Sequence, residues 1–141
     1  MESSKIVVLG SANGDVFLKL DRLPALGETL AAHEITKASG GKGANQAGAC
    51  GKLGASTTFL CQIGKDEAGE SILNELSHVC KVNVEHVKKL DKVSTGTAWI
   101  FLLPDGHNSI VILGGANKAW GDEELSEEFK QEIGSASILL L

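Results

Sequence analysis

Gly40-Gly41-Lys42-Gly43-Ala44-Asn45-Gln46-Ala47 is a glycine-rich turn that runs straight into a helix of small residues. A glycine pair lets backbone amides come close to a ligand. Lys42 follows at the helix mouth, and Asn45 carries an amide that both donates and accepts. Unpaired N–H groups at a helix N-terminus serve the oxygens of an anion or a polyol. Packing alone also accounts for the pattern. Ala44, Ala47, Gly48 and Gly51 fall at i, i+3, i+4 and i+7, so one helix face carries nothing larger than a methyl group. Each helical glycine costs about 1 kcal/mol relative to alanine, which points to a close backbone neighbour. The two explanations are compatible.

The spacing excludes two nucleotide motifs. A P-loop places Ser or Thr after its Gly-Lys pair, and Lys42 is followed by Gly43. In the dinucleotide fingerprint the third glycine comes sooner after Gly41-x-Gly43 than Gly48 does.

Upstream of the turn, Ile6-Val7-Val8-Leu9 is an apolar run ended by Gly10, which predicts a strand buried on both faces of a parallel sheet. Ser11-Ala12-Asn13-Gly14-Asp15 follow, where open α/β sheets bind ligands, so Asn13 and Asp15 are binding candidates. An Asx turn that merely reverses the chain explains them as well. Val16, Leu18 and Leu20 then alternate with Phe17 and Lys19, and residues 30–38 predict a second, less regular strand.

Downstream, the small-residue helix ends at Leu53-Gly54 with a glycine cap. Thr57 to Ile63 predicts one core strand. Asp66 is the expected N-cap of a helix whose inward stripe is Ala68, Ile72, Leu73, Leu76 and Val79. Residues 82–93 predict a connecting strand region. Residues 95–113 predict a β-hairpin about the Pro104-Asp105-Gly106 turn, with Thr97, Trp99 and Phe101 opposite Ala98, Ile100 and Leu102. An acidic helix is expected from Asp122 to Ile133, its charge run solvated and Leu125, Phe129 and Ile133 inward. Ile138 to Leu141 predicts the start of a buried parallel strand, as in the N-terminal portion of a longer domain.

Length and composition narrow the function. A chain of 141 residues with 43% hydrophobic content builds one globular core. A net charge of −5 without a basic cluster argues against nucleic acid and anionic membranes as partners. No apolar run approaches a membrane span, and Met1 to Lys5 lead directly into the first strand, so a soluble, cytoplasmic protein is expected. Cys50, Cys61 and Cys80 are odd in number and widely spaced, and read as reduced, buried small residues. His33, His78, His86 and His107 are scattered, without a partner at metal-ligand spacing.

The assembled motifs resemble the ribokinase-like (PfkB) superfamily of sugar and nucleoside kinases, over about residues 5–141. They are Val8 to Asp15, Leu23-Pro24 with Gly27-Glu28-Thr29, Gly40 to Ala47, Leu53-Gly54-Ala55, Gly64-Lys65-Asp66 with Gly69, Ser94-Thr95-Gly96 and Gly115-Ala116-Asn117. The Lys42-Gly43-Ala44-Asn45-Gln46 form is similar to the ribokinase branch rather than to fructokinases or adenosine kinases. The resemblance implies an α/β fold with a mainly parallel sheet flanked by helices and a small β-sheet lid, matched by segments 16–38 and 95–113. It implies D-ribose as substrate, held by Asn13, Asp15, Gly41, Lys42 and Asn45, with Ala98 and Ile100 over the sugar's carbon face. It also implies ATP and Mg as co-substrate and cofactor, and a homodimer clasped through the lids.

The family's catalytic aspartate lies in a Gly-Ala-Gly-Asp motif, and these 141 residues contain no such motif. The chain therefore reads as most of a sugar site and lid without a catalytic base, nucleotide site or metal site. The expected function is part of an ATP-dependent kinase that phosphorylates D-ribose to ribose 5-phosphate and is inactive as this fragment; the alternatives are a non-catalytic sugar-binding or dimerisation module, or a kinase for another sugar or nucleoside of the same superfamily.

Overall fold

A computed structural model describes residues 4–121 and 124–141. Strand β1 (Lys5–Leu9) alternates between two hydrophobic layers: Val8 joins a layer with Ala47, Phe59 and Ile72, and Val7 joins one with Leu60 and Phe129. Val7 and Val8 are both fully buried, as a strand covered on both faces requires.

Helix α1 (Lys42–Lys52) buries Gly43, Ala44, Ala47, Gly48 and Gly51, the small-residue face expected from its spacing. A Cβ on Gly43 would lie 2.7 Å from Gly10 Cα, so the end of β1 and the start of α1 meet backbone to backbone. The helix ends as expected: Gly54 has φ of 86°, and the Leu53 and Gly54 N–H groups donate to Ala49 and Gly51 carbonyls.

Strand β4 (Ser56–Leu60) pairs parallel with β1. The single strand expected over Thr57 to Ile63 is two, because the chain changes partner at Cys61: β5 (Gln62–Gly64) leaves that sheet and pairs with β6 (Lys88–Leu90). Beyond a bridge between Thr58 and Asn83, β6 is all that forms of the strand region expected over residues 82–93. Helix α2 (Glu67–Asn74) is capped by Asp66, which accepts from the Gly69 N–H at 2.9 Å. Its stripe departs from expectation at Val79, which is 63% exposed. The last turn, Glu75–Val79, widens to a π-helical turn, and Cys80 rather than Val79 reaches the core.

Strands β2 (Asn13–Lys19), β3 (Glu34–Gly40), β7 (Gly96–Leu102) and β8 (Asn108–Leu113) form a separate four-stranded sheet in the order β3-β2-β7-β8. This sheet takes up the segments 16–38 and 95–113 expected to form a lid; its first strand begins at Asn13, and its second spans Glu34–Gly40 rather than residues 30–38. The β7–β8 hairpin forms as expected. The loop before β3 is braced by Arg22, which grips Glu28 through both guanidinium N–H₂ groups; that pairing and the Ala25 N–H hold the Glu28 carboxyl down at about 2.

Helix α3 spans Glu127–Gly134, later than the acidic run suggested, because Ser126 caps it by accepting from the Phe129 N–H. Asp122 and Glu123 of the expected helix lie outside the described residues, as do residues 1–3 of the expected leaderless start. Leu125, Phe129 and Ile133 nevertheless pack together. Strand β9 (Ile138–Leu140) pairs parallel with β1, but Ile138 and Leu139 are 48% and 40% exposed, so the expected burial is not seen at this sheet edge. Among the described residues, no helix is long and apolar enough to cross a membrane.

Candidate functional site

Asn13 and Asp15 are the first and third residues of β2, so the alternation of a strand puts both on one face of the lid sheet. The Asx-turn explanation therefore fails: strand pairing occupies these residues, Asn13 facing Gly40 and Gly96, and Asp15 facing Ala38 and Ala98. The same face carries Phe17 and Ile100, which are paired across β2 and β7.

Strand β3 delivers the chain to the glycine turn. Gly41 is the N-cap of α1, with φ of 93°, a conformation that side-chain-bearing residues resist. A Cβ there would also lie 2.7 Å from the Ser11 carbonyl oxygen and 2.9 Å from the Asn13 nitrogen. The turn thus presses against the β1–β2 connection, and the Ala44 N–H donates to the Ser11 carbonyl at 3.0 Å. One set of glycines thus permits close backbone packing and places Gly41 on the cavity wall.

These elements enclose an open cavity of about 550 Å³. All five expected residues, Asn13, Asp15, Gly41, Lys42 and Asn45, line it. Phe17, Ala98, Ile100, Ile110 and Ile112 supply an apolar wall from the lid. One side therefore offers a carboxylate, two amides and an ammonium, and the other offers hydrocarbon. That combination suits a small polyol, whose hydroxyls need fixed donors and acceptors while its C–H face needs apolar cover.

Burial raises the Asp15 carboxyl above the usual Asp range. Among the described residues, no cation pairs with it in a salt bridge. A partly desolvated carboxylate without a counter-ion is a strong acceptor for ligand hydroxyls.

Two neighbours of the site were not legible as such. Asn117, in the turn Gly115–Lys118, bonds through its side chain to Ala12 and Asn13. Thr95 ties the start of β7 to α2: its Oγ1–H and N–H donate to the Asp66 carboxylate at 2.6 and 2.8 Å. Burial pushes the Asp66 carboxyl up, but these bonds and the one from Gly69 outweigh it and leave it below the usual range.

The remaining candidates stay apart from the cavity. Cys61 and Cys80 are buried and Cys50 is only half-buried, against the expectation for all three. Burial pushes the Cys61 thiol up to about 12, which leaves it un-ionised at neutral pH. Among the described residues, no group of three or more His, Cys, Asp or Glu is placed to hold a metal ion. A second cavity of about 460 Å³ opens beyond β1, between Gln62, Lys88 and Trp120, and shares Ser11 with the first.

Comparison with known proteins gives a consistent picture. Residues 3–141 match the profile of the pfkB family carbohydrate kinases. The chain is 41% identical over 138 residues to ribokinase of Arabidopsis thaliana, covering 96% of this chain and 36% of that protein. It is 40% identical over 124 residues to ribokinase of Staphylococcus aureus, covering 87% of this chain and 40% of that protein. The structure of Arabidopsis thaliana ribokinase complexed with ribose and ATP superimposes with a TM-score of 0.90 at 39% identity, over 99% of this chain and 45% of that one. The chain thus spans less than half the length of these relatives.

Proposed function

The chain belongs to the pfkB family of carbohydrate kinases, and from that premise we propose that it supplies the sugar-holding part of an ATP-dependent ribokinase acting on D-ribose. The convergence of Asn13, Asp15, Gly41, Lys42 and Asn45 in one cavity carries this reading. It is supported by the ribokinase relatives and by the ribose-bound structure that the fold matches.

In this reading the Asp15 carboxylate accepts hydrogen bonds from ribose hydroxyls. Asn13 and Asn45 contribute amides, Lys42 an ammonium, and the turn at Gly41 a backbone N–H. Phe17, Ala98 and Ile100 cover the carbon face and exclude water. The product would be ribose 5-phosphate, with ATP supplying the phosphoryl group and Mg neutralising its charge. Phosphoryl transfer depends on positioning and electrostatic stabilisation. Here this chain contributes the positioning of the acceptor, and none of its residues is assigned as catalytic base or as a Mg-ATP ligand. A cytoplasmic location is part of the same proposal.

The lid is further proposed to pair with the lid of a second copy. It is apolar on both faces: Ile110 and Ile112 share the cavity face, while Trp99 and Val111 occupy the other. Trp99 is 42% exposed, and Ile110 to Leu113 are all more than half exposed. Continuous apolar exposure of this kind marks an interface, and a two-fold dimer uses the same patch twice. Light scattering should give a dimer, and Trp99→Glu with Phe101→Glu should give a monomer; a monomeric parent would contradict the pairing.

The kinase reading is tested by replacing the matching segment of a ribokinase relative with residues 1–141. The hybrid should release ADP in a ribose-dependent manner, and Asp15→Ala should raise its ribose KM about tenfold or more, the loss expected for a charged hydrogen bond. An unchanged KM in that variant would refute the assignment. The 141-residue chain alone should match the no-enzyme blank.

A further inference from the structure

Asn117 lies 104 residues from Asn13 in sequence, yet the two side chains are hydrogen-bonded. Asn117 Oδ1 accepts from the Ala12 N–H at 3.0 Å. Its Nδ2 donates to the Ala12 carbonyl at 3.0 Å and to Asn13 Oδ1 at 2.7 Å. These three bonds form a logical chain. A backbone N–H can only donate, so the Asn117 atom facing it must be Oδ1. Nδ2 then faces the Ala12 carbonyl and Asn13, and its two hydrogens are both committed. The Asn13 atom that meets it must therefore be an acceptor, Oδ1. The Asn13 NH₂ is the group left for the cavity.

The surroundings are shaped for this contact. A Cβ on Gly96 would overlap Asn117 Nδ2 and lie 2.6 Å from Asn13 Oδ1, so only glycine in β7 leaves room. The Ala116 N–H donates to the Ser94 carbonyl at 2.8 Å and pins the Asn117 turn beside the start of β7.

We propose that Asn117 is a positioning residue of the sugar site, which locks the Asn13 amide with its NH₂ toward the ligand. The site then presents a donor at Asn13 and an acceptor at Asp15, two positions apart on one strand face. This pair selects a hydroxyl arrangement that accepts at the first and donates at the second. A carbonyl or ether oxygen at the second position cannot donate to Asp15. The inference rests on the sugar reading of the cavity and adds to it the sign of the Asn13 contact.

The test is a double-mutant cycle on the chain, with D-ribose affinity read by NMR titration. Asn117→Asp is nearly isosteric and still accepts from the Ala12 N–H, but it replaces the Nδ2 donor with an oxygen. It should weaken ribose binding about tenfold or more when Asn13 is present. In the Asn13→Ala background, the same substitution should change affinity less than about twofold. Equal losses in both backgrounds would show that Asn117 acts only through the Ala12 backbone and would overturn the proposal, as would no loss in either. A second measurement needs neither the variant's folding nor ribose: scalar coupling across the Asn117 Nδ2–H to Asn13 hydrogen bond in the unsubstituted chain. Its presence supports the lock and its absence overturns it. If the coupling is present and the unsubstituted chain does not bind ribose, the sugar reading fails while the amide lock stands.

Discussion

The Asp15 carboxylate lies directly over Gly40 of the adjacent strand: a Cβ on Gly40 would overlap Oδ2 and stand 2.7 Å from Oδ1. The glycine before the turn is therefore fitted to the proposed ligand-binding group. Gly40→Ala should displace the carboxylate and weaken ribose binding about tenfold or more. Gly40 does not have a positive φ, so the backbone tolerates alanine and the denaturation midpoint should stay nearly unchanged. Ribose titrations and urea melts of the variant give the two readouts; full affinity would mean that Asp15 does not hold the sugar from this position.

Gly43 should behave in the opposite way. Its neighbours are backbone atoms, Gly10 Cα at 2.7 Å and Ser11 N at 2.8 Å from a built Cβ, and they cannot rotate aside. Alanine gains about 1 kcal/mol in helix propensity, but overpacking costs more, so Gly43→Ala should lose about 1–2 kcal/mol net. Chemical denaturation checks this, and a stabilised variant would show that β1 and α1 are not in such close contact.

His86 joins the β6 side of the fold to α3. Its Nδ1 lies 2.6 Å from Glu128 Oε1 and its Nε2 3.5 Å from Glu132 Oε1, while Lys5 holds the other Glu132 oxygen at 2.7 Å. The Glu128 hydrogen bond raises the His86 pKa; burial opposes it, and the charges of Glu132, Glu128 and Glu85 add to the rise. A raised histidine stabilises the fold fully below its unfolded pKa and loses that contribution as pH rises through the folded one. Stability should therefore fall by less than about 1 kcal/mol across that window, the range for a solvent-screened pair. Urea midpoints of the parent and of His86→Gln, taken at several pH values, isolate the effect. The same slope in both would exclude His86 as its source.

The sequence reveals the parts of the fold that local chemistry dictates. The apolar run of β1, the small face of α1, the Asp66 cap and the turn at Gly106 each follow from residue type and spacing. The five candidate residues can be named from the sequence because they cluster in two short motifs, Asn13 to Asp15 and Gly40 to Asn45, and what the structure adds is that they line one cavity. The Asn117–Asn13 bond was not legible, since it depends on the orientation of two amides that only tertiary structure brings together. The partner change at Cys61 also left no signal, because Thr57 to Ile63 is a run of strand-forming residues with no glycine or proline to interrupt it. Val79 was misassigned because a π-helical turn breaks the period on which a helical stripe is counted.

In its proposed role, Asp15 trades stability for affinity. Its folded pKa is raised by burial, so stability falls as pH rises from the unfolded Asp value through the folded one, and ionisation opposes folding at neutral pH. Asp15→Asn should therefore raise the melting temperature at neutral pH and remove that part of the pH slope. Ribose affinity should follow the reverse trend in the parent, strengthening as the carboxylate ionises. A melting temperature lowered by Asp15→Asn would contradict the raised pKa.

The central claim, that this cavity holds ribose through Asp15, is tested most directly by titrating the ¹⁵N-labelled chain with D-ribose at neutral pH, alongside Asp15→Ala. Saturable shifts should be confined to Asn13 to Phe17, Gly40 to Asn45 and the facing residues of β7, and should disappear in the variant. Shifts that do not saturate, that map elsewhere, or that persist unchanged in Asp15→Ala would contradict it.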